Sequence, residues 1–134
     1  MSTDAELATR LAVEAGQLLV ALRDDAAERR MPSWQLMDTG DLASHRFLLD
    51  ALRSERPDDP VLSEEGYEDP RRFNSDRVWI IDPLDGTQEF SEFDRSDWAV
   101  HVALWERRDE AGNPSDDGHL VAGAVALPGF GITL

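Results

Sequence analysis

The chain has no cysteine and no lysine among its 134 residues, and its 13 basic side chains are all arginine. Without cysteine there can be no disulfides, thiolate zinc sites or cysteine nucleophiles. No apolar run approaches the ~20 residues that a membrane-spanning helix requires. The opening MSTDAELATR is acidic and polar, so it does not read as a secretory signal. There is no internal repeat and no low-complexity tract. Positive charge is scarce: 28 acidic residues against 13 basic ones give a formal net charge of −15. Neutralising phosphates drives nucleic-acid binding, so this chain is a poor partner for a nucleic acid polymer. If it handles an anionic ligand, something positive must bridge the two, and a divalent cation is the obvious bridge. A cytoplasmic protein with no membrane partner is the expectation.

What is present suits a folded chain. Hydrophobic residues make up 41%, too many for disorder and enough for one domain over residues 1–134. Thr3 to Glu6 fits a capping box, and Leu7, Leu11, Ala15, Leu18 and Leu22 follow at helical spacing. This predicts a long amphipathic helix from about Asp4 to Glu28, ended at the latest by Pro32. A second helix is expected to start at Asp41 and stop before Pro57, with Leu42, His45, Leu48, Leu49 and Leu52 on one face. Val61-Leu62 opens a short strand, and residues 66–77 read as a surface loop. Val78 to Asp82 has four consecutive apolar residues, the pattern of a strand buried on both faces. Ala99 to Trp105 and Leu120 to Leu127 are further strands, and Arg107 to Gly118 reads as a solvated hairpin loop. Two helices followed by several strands predict an α+β fold, with the helices packed on a mainly antiparallel sheet.

Acidic residues stand at the element boundaries: Asp41, then Glu64 and Glu65, then Asp82 and Asp85 in WIIDPLDGTQEF. If the strands are neighbours, these carboxylates converge. Two bare like charges ~4 Å apart repel by about 4 kcal/mol at an effective dielectric of ~20, and bound Mg²⁺ reverses that sign. Gly86 lets backbone approach a ligand closely, and a helix starting at Thr87 would offer N–H groups to a phosphate. From spacing alone, Asp82-Pro83 and Asp85-Gly86 read first as ordinary turn dipeptides, ahead of a metal site.

The run WIIDPLDGT, with LSEEG upstream, resembles the signature of the inositol monophosphatase superfamily of magnesium-dependent, lithium-sensitive phosphatases. The likeness runs from Thr39-Gly40-Asp41 to Pro128 and Gly131. It implies the first half of the layered α/β sugar-phosphatase fold. It also implies metal ligation by Glu64, Asp82, Asp85 and the Leu84 carbonyl, with Glu65 supporting them. Gly86 and Thr87 would contact phosphate, while Asp41 and Thr87 would orient the attacking water. The implied cofactor is Mg²⁺, as two or three ions, with Li⁺ inhibiting. Before Asp41 the family often has a lysine followed by Asp-Leu-Val-Thr, where this chain has WQLMDT. Gln88-Glu89-Phe90 and Asp97-Trp98 resemble the CysQ-type 3'(2'),5'-bisphosphate nucleotidases. The implied reaction is hydrolysis of a small phosphorylated substrate, 3'-phosphoadenosine 5'-phosphate or its sulfated relative. The alternatives are inositol phosphate or fructose 1,6-bisphosphate as substrate, or an impaired metal- and phosphate-binding fragment. The family's second half, with a further aspartate ligand, is not in this sequence, and an uncovered apolar face that self-associates is expected.

His45, His101 and His119 fall in different elements without ligand spacing, and His101 reads as a packed or edge residue. Trp79 and Trp105 read as core, and Trp98 as the one indole near the motif able to face a substrate.

Overall fold

The computed structural model describes residues 2–64, 66 and 69–134. Helix α1 spans Asp4–Glu28, and its N-cap Thr3 accepts a hydrogen bond from the Glu6 backbone N–H at 3.1 Å. The expected boundaries hold. Leu7, Leu11, Ala15 and Leu19 form the buried stripe, each fully removed from solvent.

Helix α2 spans Ser33–Glu55 and corrects the expected start at Asp41 by eight residues. Its buried stripe runs Leu36, Gly40, Ser44, Leu48 and Leu52. Glycine and serine occupy two successive turns of that stripe, so no apolar period is visible there. Asp41 is therefore inside the helix rather than at its start.

The sheet has five strands in the order β1-β2-β3-β4-β5. They are β1 Val61–Ser63, β2 Arg77–Asp85, β3 Ala99–Arg108, β4 Pro114–Leu127 and β5 Ile132–Thr133. Strand β1 pairs parallel to β2, and every other pairing is antiparallel. A short 3₁₀ helix, Pro70–Asn74, lies within the expected loop. The β3–β4 turn is shorter than expected, because β4 already begins at Pro114.

Both long helices pack on one face of the sheet. Trp79, Ile81, Val100, Val102 and Leu104 point into that core and are fully buried. The expectation that β2 is buried on both faces holds on one only, since Ile80 remains partly exposed. Trp105 also belongs to the uncovered side, where its indole N–H donates to the Asp117 carbonyl at 3.0 Å and Arg107 lies 5.4 Å from its ring. Trp98, by contrast, is 1% exposed and packs edge-on against Phe90 at 4.9 Å. Trp105, expected in the core, thus lies on the uncovered face, while Trp98 is buried and its residue borders the cleft beside Asp85.

Candidate metal and phosphate site

Along a regular strand, residues three apart point to opposite faces, so Asp82 and Asp85 should diverge. They do not, because β2 is irregular between them. Asp82 pairs with His101 and Asp85 with Ala99, three steps on one strand against two on the other. The extra residue is a β-bulge, and it returns Asp85 to the side that carries Asp82. Pro83 lies inside the bulge, where the ladder needs no N–H donor.

The bulge brings Asp82, Asp85 and His101 together, with one potential ligand atom from each within 4.8 Å of the others. His101 Nε2 is 3.0 Å from Asp85 Oδ2. Burial, and then the neighbouring Asp85 charge, hold the Asp82 carboxyl above its ordinary range, against the pull of His101. Among the described residues, no arginine pairs with Asp82 or Asp85. The two carboxylates are oxygen donors whose chemistry suits a divalent cation.

Glu64 follows β1 directly, and its backbone N–H donates to the Ile81 carbonyl at 3.0 Å. That places it beside Asp82, whose carboxyl its charge also raises, although the close three-atom group does not include it. Glu65 lies outside the described residues.

Asp41 and Thr87 come from elements far apart in sequence and meet directly. The Thr87 hydroxyl lies 3.1 Å from Asp41 Oδ1 and 3.2 Å from the Leu84 carbonyl. One turn along α2, the buried Ser44 hydroxyl donates to the Pro83 carbonyl at 2.6 Å. Helix α2 therefore grips the bulge directly at the Pro83 carbonyl, and its Asp41 meets the Thr87 hydroxyl that lies against the next carbonyl, Leu84. Gly40 permits this approach: a Cβ there would stand 2.6 Å from Phe90 Cε2.

Gly86 is in the left-handed region at φ 83°, and α3, Thr87–Ser91, begins immediately after it. Arg23 of α1 fixes the segment beyond α3 by donating to the carbonyls of Glu92 and Arg95. A cleft of about 550 Å³ opens beside the group, bounded by Asp85, Gly86, Glu89, Asp97, His101 and Phe130.

The sequence reading missed His101, Ser44 and Gly40. His101 carried a usable signal, the alternation of VHVALW, which puts it on the face opposite Val100 and Val102. Pairing it with Asp82 required the register.

The profile of the inositol monophosphatase family matches residues 1–131. The chain is 48% identical over 129 residues to a 3'-phosphoadenosine 5'-phosphate phosphatase of Mycobacterium leprae (strain TN), covering 96% of this chain and 46% of the relative. It is 36% identical over 109 residues to the 3'(2'),5'-bisphosphate nucleotidase CysQ of Salmonella typhimurium, covering 76% of this chain and 43% of that protein. Among solved structures, the extragenic suppressor protein SuhB of Bartonella henselae superimposes with a TM-score of 0.72 at 25% identity, over 95% of this chain and 44% of its own. The chain thus spans less than half the length of the curated relatives it matches. With nearly every residue under the profile and close to half of them shared with one relative, the chain belongs to the inositol monophosphatase family.

Proposed function

We propose that the chain carries the cation- and phosphate-binding part of a magnesium-dependent phosphate monoester hydrolase. The observation that supports this best is the bulge that gathers Asp82 and Asp85 beside the Thr87–Asp41 pair. Asp82, Asp85, Glu64 and the Leu84 carbonyl hold Mg²⁺, as two or three ions, with Li⁺ as competitor. When bound, the cation supplies neutralisation of the phosphate and leaving oxygen, and acidifies water.

The rest is the work of this chain's own groups. The Thr87 hydroxyl donates its hydrogen bond to Asp41, which leaves the threonine oxygen's lone pairs free to accept a hydrogen bond from water. A water held this way turns its own lone pair toward phosphorus, and that orientation is worth rate. Gly86 and the first N–H groups of α3 face the phosphate oxygens.

The substrate we propose is 3'-phosphoadenosine 5'-phosphate or its sulfated relative, in a cytoplasmic setting. It is supported by the likeness to the 3'-phosphoadenosine 5'-phosphate phosphatase of Mycobacterium leprae and to the 3'(2'),5'-bisphosphate nucleotidase of Salmonella typhimurium. A panel of this nucleotide, inositol monophosphate and fructose 1,6-bisphosphate at equal Mg²⁺ tests it. The nucleotide should turn over fastest, and preference for inositol phosphate would overturn the assignment.

We also propose that the uncovered apolar side takes a second copy of the chain. Leu120, Phe130, Ile132 and Leu134 are 49–77% exposed, and β5 is an edge strand. Sedimentation of the 134-residue chain should show species larger than a monomer, and a monomer alone would refute this.

A further inference from the structure

The histidine in the acidic group is the feature that a magnesium reading leaves unused. Asp82 and His101 stand opposite each other in the β2–β3 register, so both side chains leave the sheet on one side. The bulge adds Asp85 to that side, and its carboxylate lies 3.0 Å from His101 Nε2. Two oxygens and one nitrogen therefore converge within 4.8 Å from paired strands, whose backbone fixes their spacing.

We propose that His101 is a nitrogen ligand in this group, and that it makes the site bind Zn²⁺ more tightly than Mg²⁺. The inference rests on the reading above that Asp82 and Asp85 hold a divalent cation. Mg²⁺ gains little from imidazole, because it prefers hard oxygen donors and keeps its waters. Imidazole with two carboxylates is a donor set that Zn²⁺ uses well. Bonds of about 2.0–2.1 Å around a tetrahedral ion separate its ligand atoms by about 3.3 Å. The His101–Asp85 distance is already close to this. The side chains of His101 and Asp85 are 40% and 60% exposed, so rotation can admit an ion between them. Stability gives the pair little purpose, since an exposed ion pair contributes at most about 1 kcal/mol.

The experiment measures Zn²⁺ and Mg²⁺ affinities by calorimetry and chelator competition for the wild type, His101→Ala and His101→Gln. Glutamine keeps an amide donor for Asp85 but has no imidazole nitrogen to offer a metal. Visible absorption of the Co²⁺-loaded chain reports directly on a nitrogen ligand. In both variants Zn²⁺ affinity should fall by about tenfold or more, while Mg²⁺ affinity changes less than about twofold. The cobalt spectrum should shift in both. Equal losses for the two ions in His101→Ala, rescued by His101→Gln, would make His101 a positioning residue for Asp85 and overturn the proposal. Unchanged Zn²⁺ affinity would overturn it as well. Asp82→Asn separates the levels: if it weakens neither ion, the cation site itself fails, and this inference with it.

Discussion

At the Arg77 end of β2, three carboxylates surround one guanidinium. Arg77 lies 3.0 Å from Asp4, 3.2 Å from Asp59 and 2.8 Å from Glu106, and Asp59 also accepts from the Trp79 indole at 3.0 Å. At the other end, Asp82 and Asp85 share their space with an imidazole and, among the described residues, with no arginine. The same residue type is pushed in opposite directions at the two ends. Burial would raise the Asp4 carboxyl, but hydrogen bonds from Arg77 and Arg56 outweigh it and hold the group below its ordinary range. Burial and Asp85 hold Asp82 above it. One end is a closed electrostatic unit that fastens α1 to the sheet. The other leaves its two carboxylates without an arginine among the described residues, the arrangement that the proposed cation site would need.

The largest effect should come from neutralising the open end. Asp82→Asn is expected to weaken Mg²⁺ binding on the order of a hundredfold, read by calorimetry. The same change should leave the cation-free chain as stable or slightly more so in urea, because it removes an unbalanced charge. A large destabilisation there would mean that Asp82 is structural, and the contrast between the ends would collapse.

Arg77→Met tests the closed end with the opposite sign. Removing the guanidinium leaves three acids facing one another, two of them with side chains only 12–13% exposed. Breaking a fully buried pair costs about 3–5 kcal/mol, and with Arg77 itself a third exposed we expect about 2 kcal/mol. Mg²⁺ affinity should stay within about twofold. Urea midpoints and calorimetry check both halves of this expectation.

Thr87→Val divides the open end into cation binding and water orientation. In the active enzyme, turnover should fall by about tenfold or more while Mg²⁺ affinity barely moves, because the hydroxyl bonds Asp41 and, on the proposed reading, orients water rather than building the carboxylate group. A parallel loss of both would place Thr87 among the groups that build the cation site.

The smallest effect concerns acid. Asp4 contributes stability that is fully present above its unfolded value of 3.8 and is lost as pH falls through its lower folded value. Asp82 works in reverse: its folded value is raised, so the cation-free chain loses stability as pH rises from 3.8 through that value. Asp4→Asn should therefore flatten the acid limb of a stability–pH curve by under about 1 kcal/mol, and Asp82→Asn should not. Identical curves for the two variants would erase the distinction.

Much of this was legible beforehand where local chemistry decides. The capping box at Thr3 and the leucine period fixed α1, and the apolar run of β2 announced a strand. The start of α2 was hidden because Gly40 and Ser44 fill its buried stripe. They are there for tertiary reasons, since Gly40 makes room for Phe90 and Ser44 binds the bulge. Trp105 lies outside its expected place in the core because indoles suit core and groove alike, and only helix coverage of one sheet face decides between them.

By itself the sequence determined the charge deficit, the absence of thiol chemistry, the two-helix-plus-strands composition and the DPLDGT run with its family. Local rules suffice for these, because capping, periodicity and composition act over a few residues. The tertiary structure alone decided that Asp82 and Asp85 face the same way, that His101 joins them, and that Asp41 reaches Thr87 across 46 residues. A bulge of one residue reverses every side chain beyond it. Whether a strand bulges depends on the partner it pairs with and the helix that grips it, and neither is written in the strand.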